Sequence, residues 1–146
     1  MSTTFLSDTY LLRGASADHI AAVGSISEIH SFEGGQSIVA DRDSGQDLMI
    51  IAEGKARVQT REGDLLDEVR TGDLIGEIAF LDGKSRTANV VASGSAKVVF
   101  IPAEKLRALM KSDVSLEATI MRNAALALCH RLREANQQVE SLLIPR

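Results

Sequence analysis

The apolar positions change period twice along this chain. From Leu11 to about Ile29, Ile20, Val23 and Ile26 recur at helical spacing, with Ser16 and Asp18 as capping oxygens; short helices are predicted over 11–30. From Ser27 to Ile101 the pattern becomes short β-branched runs: Ser37–Ala40, Asp47–Ala52, Lys55–Thr60, Leu65–Val69, Thr87–Ala92 and Lys97–Ile101. Gly, Asp and Ser punctuate them at Gly34-Gly35, Asp43-Ser44-Gly45, Glu53-Gly54, Glu62-Gly63-Asp64, Gly72 and Ser93-Gly94-Ser95. Strands at roughly 8–12-residue spacing predict an antiparallel sandwich or barrel. Within this zone, Gly76 to Leu81 reads as a turn of helix following a strand that ends at Ile75.

A third zone opens at Pro102, a good first helical position, with a short helix through Met110. Ser112 then offers a cap for a long helix ending near Leu143. Along it Val114, Ala118, Met121, Ala125, Leu128, Leu132, Ala135, Val139 and Leu142 alternate in steps of four and three. That is the seam of a coiled coil over about four heptads, and it predicts a homodimer through 114–142. In a parallel pair Glu117 at a g position meets Arg122 of the second copy at e.

Composition narrows the function. A chain of 146 residues fits one domain, 1–146, able to bury its own core. Aromatics are only 3% of it, which argues against a stacking reader of single-stranded nucleic acid. A formal charge of −4 gives no general attraction to DNA or acidic membranes, so an anionic ligand needs a local site. With Cys129 the single cysteine, no intrachain disulfide is expected, as suits a reducing compartment. The first residues lack the pattern of a secretion signal and no apolar run is long enough to span a bilayer. The expectation is a cytoplasmic protein.

The chemistry concentrates in Gly72 to Val90. A strand running into a short helix at Gly76 exposes backbone N–H groups that have no intrahelical partner, and Gly76 allows close approach. Arg86 supplies a planar fork for two phosphate oxygens, and Thr87 a hydroxyl beside it. Ionised Glu77 only accepts hydrogen bonds, which suits a sugar hydroxyl and repels a second phosphate. One cation with one carboxylate acceptor matches a 3′,5′-cyclic nucleotide, which has one negative charge and a free 2′-OH.

The segment Gly76-Glu77-Ile78-Ala79…Arg86-Thr87-Ala88 closely resembles the phosphate-binding cassette of cyclic nucleotide-binding domains. Those occur in cyclic-nucleotide-dependent kinases, gated channels and bacterial catabolite-activator-type regulators. Phe32, Gly35, Ile38, Leu48 to Ile51 and Gly54 follow the same pattern, so the likeness runs from about Leu11 to Val139. It implies a mainly β fold with flanking helices (α+β): a jelly-roll-like double-stranded β-helix, or β-roll, of about eight strands over 31–101. N-terminal helices would flank it and C-terminal helices, 102–143, close over the base. The likeness further implies that Glu77 binds the ribose 2′-OH and that Arg86 binds the phosphate, helped by N–H groups near Ile78, Ala79 and Thr87. Ala88 would also line the cassette, and the adenine contact of the transcription-factor relatives would fall near Ala135 and Asn136. No helix-turn-helix follows, so direct DNA binding through that module is not expected. Thr87 resembles the cyclic-GMP-dependent kinases, whereas bacterial members often carry serine there. The ligand is thus cyclic AMP or cyclic GMP, with a slight lean to the former.

Plainer readings bound the rest. His19, His30 and His130 lack metal-ligand spacing, and no catalytic motif occurs, so neither metal, catalytic group nor cofactor is expected. Asp41 to Gly45 is only a faint calcium-loop pattern, because the bidentate glutamate position holds Ala52. Cys129 is expected as a small apolar filler. The expected function is a non-catalytic sensor that transmits ligand binding through its C-terminal helices to an unknown downstream protein. The alternative is a degenerate relative that uses the roll and helix for protein contacts without nucleotide.

Overall fold

The computed structural model describes residues 3–39, 45–86 and 88–144. Two short helices, α1 (Thr3–Ser7) and α2 (Ala17–Ile26), precede eight strands. Those are β1 (Glu28–Phe32), β2 (Ser37–Val39), β3 (Leu48–Glu53), β4 (Lys55–Gln59), β5 (Leu65–Arg70), β6 (Leu74–Ile75), β7 (Asn89–Ala92) and β8 (Ala96–Ile101). A six-residue helix, α3 (Glu77–Asp82), interrupts them after β6, and α4 (Ala103–Ser112) and α5 (Val114–Leu143) close the chain. The strands form two antiparallel sheets of order β1-β8-β3-β6 and β2-β7-β4-β5. This is the β-roll with flanking helices that the sequence predicts.

The unbroken apolar run Leu48-Met49-Ile50-Ile51 has a structural cause. β3 lies inside a sheet covered on both faces, so both sets of its alternating side chains are buried. Met49 and Ile51 join Val98, Ile75 and, from the other sheet, Val39, Ala56, Val69 and Val90 inside the roll. Leu48 and Ile50 turn outward to a second core made with Leu11, Leu12, Val23, Leu106, Leu116 and Ile120 of the helical layer. The register sets Leu48 opposite Ile101 and Ile50 opposite Val99.

Helix ends follow local chemistry with two corrections. Ser16 caps α2 by accepting from the His19 N–H. That helix stops at Ile26, and Ile29, predicted as helical, instead pairs with Val99 in β1. The cap of α5 is Asp113 and not Ser112: Asp113 Oδ1 accepts from the Leu116 N–H, while the Ser112 hydroxyl donates to the Leu109 carbonyl. The Leu116 N–H, with the hydrogen bond from His19 next, holds the Asp113 carboxyl below its ordinary value.

α5 is two-faced in a way that decides its use. Leu116, Ile120, Asn123, Ala124 and Ala127 are buried against the body of the protein. Buried Asn123 anchors that face by donating to the carbonyls of Leu11, at 2.6 Å, and Arg13, at 3.0 Å. The seam residues Val114, Met121, Leu132, Val139 and Leu142 lie on another face and are exposed. Cys129 is exposed as well and fills no core position. Most of the faint calcium-loop pattern, Asp41 to Ser44, falls outside the described residues.

Candidate functional site

The site begins where β6 meets α3. Gly76, at φ +85°, turns the chain into the helix, and its carbonyl takes the first helical hydrogen bond, from the Phe80 N–H. The N–H groups of Glu77, Ile78 and Ala79 precede that bond. Glycine is required here for a second reason: a Cβ would lie 2.4 Å from Arg86 Nη1 and 2.9 Å from the Asp47 carbonyl oxygen. Bare backbone at Gly76 is therefore what lets a guanidinium lie against the turn.

Arg86 is 7% exposed, and two main-chain carbonyls orient it. Its Nη1 donates to Gly76 O at 3.1 Å and its Nη2 to Asp47 O at 2.9 Å. Glu77 is wholly buried at 0% exposure. Its Oε1 accepts from Arg131 Nη1 at 2.5 Å, and Arg131 Nη2 also donates to the Leu74 carbonyl. Glu77 Oε2 has no hydrogen-bond partner among the described residues, although a buried carboxylate oxygen ordinarily has one.

Burial holds the Glu77 carboxyl above its ordinary value of 4.5. The charge of Arg131, the residue's own N–H, the charge of Arg86 and the Arg131 hydrogen bond draw it part of the way back. A carboxyl with a raised native pKa binds more protons folded than unfolded, so its contribution to stability falls as pH rises from 4.5 through the native value. Urea midpoints of the parent and Glu77→Gln across pH 4 to 8 read this directly. The parent is expected to lose stability relative to the variant as pH rises, and a flat difference excludes a raised pKa.

These residues share one pocket. Gly76, Glu77, Ile78, Ala79, Arg86 and Ala88 line it, together with Val39, Val58, Ile75 and Val90. Arg131, from α5, is the remaining wall, and the sequence reading missed it. Thr87 lies outside the described residues. Asn136, predicted from the likeness as a base contact, is exposed on α5 and is not among the residues that line this pocket. The pocket volume is about 60 Å³. Among the described residues no three His, Cys, Asp or Glu side chains group as metal ligands, and no helix is long and apolar enough to cross a membrane.

The family model described as the cyclic nucleotide-binding domain matches residues 29–113, more than half of the chain. The chain belongs to the cyclic nucleotide-binding domain family. A solved cyclic nucleotide-binding domain from Methylobacillus flagellatus has the same fold, with a TM-score of 0.85 at 20% identity over 99% of this chain and 83% of that one. The regulatory domain of Toxoplasma gondii PKA, solved with cAMP, matches at a TM-score of 0.73 and 26% identity, covering 84% of this chain and 48% of that one. Glutaminase 1 of Bradyrhizobium diazoefficiens is 31% identical over 140 residues, 96% of this chain. The chain spans only 23% of that protein and 22% of the related Glutaminase 2.

Proposed function

We propose that this chain is a non-catalytic sensor that binds a 3′,5′-cyclic mononucleotide and passes the event to its C-terminal helix. One observation carries the reading: a fully buried carboxylate oxygen, Glu77 Oε2, lacks a partner among the described residues in the same pocket as a buried arginine. Leaving an acceptor so placed costs about 1–3 kcal/mol, which a ligand hydroxyl recovers. The ribose 2′-OH donates to Oε2 while Oε1 stays with Arg131. The single phosphate charge meets Arg86 and the N–H groups of Ile78 and Ala79, with Thr87 and Ala88 completing the cassette. The purine lies against the apolar walls Val39, Val58 and Val90, whether it is adenine or guanine. Asn136 reaches the base only if α5 tilts inward.

The position of Arg131 supports a coupled mechanism: it is the pocket wall that belongs to α5, and it donates to the Glu77 carboxylate that would receive the sugar hydroxyl. Because Asn123 anchors the first half of that helix, the part of the response carried by Arg131 falls on the half beyond Ala127. A ligand then shifts the helix by its difference in affinity for the two positions.

Calorimetry with cyclic AMP and cyclic GMP tests the reading. A flat response to both turns the assignment to a protein-interaction module without nucleotide. Absence of 5′-AMP after prolonged incubation with cyclic AMP is the expected sign that the chain is not a phosphodiesterase.

The exposed seam of α5 supports a homodimer, placed in the cytoplasm, with Glu117 meeting Arg122 of the second copy. Sedimentation equilibrium is expected to give a dimer that Leu132→Glu dissociates without unfolding, since Leu132 is exposed within one copy. A parent that stays monomeric at high concentration excludes it. The output lies with another protein or a further segment of the gene product. The match to part of two glutaminases supports a catalytic unit in that role.

A further inference from the structure

Asp47 occupies a junction that the cassette motif does not include. It precedes β3, and the pairing of Leu48 with Ile101 sets it beside the chain that leaves β8 through Pro102. Its main-chain carbonyl accepts from Arg86 Nη2 at 2.9 Å. Its carboxylate Oδ1 accepts from the N–H of Ala103, also at 2.9 Å. That N–H is the first of α4; Ala103 is buried, and Pro102 at the N-cap has no side-chain oxygen to offer. A residue 56 positions away thus does the work that a local capping side chain usually does.

Its neighbour repeats the pattern. The Gln46 amide nitrogen donates to the Gly83 carbonyl at the end of α3, and its oxygen accepts from Arg107 of α4 at 2.7 Å. Arg107 donates as well to the Phe80 carbonyl at 2.9 Å, with its guanidinium 4.9 Å over the Phe80 ring. Two consecutive residues therefore join the cassette to the first half of α4.

We propose that Asp47 is a positioning residue that couples the anion-binding guanidinium of Arg86 to the first turn of α4, a route to the C-terminal helices separate from Arg131. The inference rests on the reading of the pocket as a cyclic nucleotide site. A phosphate oxygen is a charged acceptor and competes for guanidinium N–H groups more strongly than a neutral carbonyl does. When the fork shifts toward the anion, the Asp47 carbonyl follows it or loses its bond. The carboxylate of the same residue carries the change to the Ala103 N–H. From there α4 reaches α5 through the core that Leu106 and Met110 share with Leu116 and Ile120.

Residue-resolved amide exchange on the whole chain, with and without saturating cyclic AMP or cyclic GMP, tests this beside calorimetry. In the parent, ligand is expected to change protection of the amides from Ala103 to Leu106 by about fivefold or more, the scale of one helix cap. In Asp47→Ala the change is expected to fall below about twofold while affinity stays within about tenfold, since the carbonyl that holds Arg86 remains. Asp47→Asn, which keeps the accepting oxygen, restores it; a merely structural loss would not depend on ligand in this way. Should Asp47→Ala fail to fold, Asp47→Glu, one methylene too long for the N–H, takes its place with the same expectation. A parent that binds nucleotide without response at these amides overturns the proposal, as does a variant that responds like the parent. A parent with no heat of binding removes the nucleotide reading itself and the coupling with it, and the calorimetric arm tells that case apart.

Discussion

Arg86→Ala is expected to weaken cyclic nucleotide binding by about 2–5 kcal/mol, or roughly 30- to several-thousand-fold, with the fold retained. The size follows from burial. At 7% exposure the guanidinium would meet a phosphate where water competes little, and truncation would leave the ligand's charge desolvated and unpaired. The fold survives because both carbonyls that hold Arg86 are main-chain groups, and Gly76 O keeps its bond from the Phe80 N–H. Arg86→Lys keeps the charge but loses the two-pronged geometry and is expected to fall between parent and alanine variant. Calorimetry on variants with unchanged circular dichroism makes the measurement. An alanine variant that binds as tightly as the parent excludes Arg86 from the site.

The second large effect is on stability. Arg131→Ala is expected to cost about 3 kcal/mol near neutral pH, because it strands the Glu77 carboxylate in a fully buried position. The lower end of the range for a broken buried pair applies, since the Arg131 side chain is 29% exposed and already partly hydrated. The carboxyl responds by taking up a proton, so its native pKa rises further. The loss should therefore shrink as pH falls toward 4.5, where the folded carboxyl is protonated and no charge is buried. Combining Arg131→Ala with Glu77→Gln is expected to recover part of the loss, as a double-mutant cycle between contacting residues should show. A single variant that unfolds at the parent's urea midpoint would mean that the pair contributes nothing.

Both experiments involve residues that differ in how readable they were. Gly76, Glu77 and Arg86 stand within eleven positions of one another on a strand, turn and helix, so their order alone suggests the anion site. Arg131 is 54 residues from Glu77, and Asp47 is 39 from Arg86. Nothing in their local sequence singles them out. A search for a buried partner to Glu77 could have named some arginine on the long helix, but several occur there. Asn136 comes from the family likeness and lies on α5 outside the pocket lining. Ile29 was misplaced because its spacing after Ile26 suits a helix, and only pairing with distant Val99 overrides that preference.

For α5 the periodicity alone indicated a helix with an apolar seam, and it left open which face meets the body. Leu116, Ile120, Asn123, Ala124 and Ala127 repeat at nearly the same period as the seam, so two apolar stripes run along one helix. Deciding between them needed the positions of Leu11 and Arg13, whose carbonyls hold Asn123.

The division has a physical basis. Strand runs, helix periods, glycine turns and the cassette are governed by interactions between residues close in sequence, and the chain states them directly. The partner of Glu77, the cap of α4 and the face of α5 that packs inward depend on contacts across tens of residues. Those arise only when burial brings the sheets and helices together, and tertiary structure alone decided them.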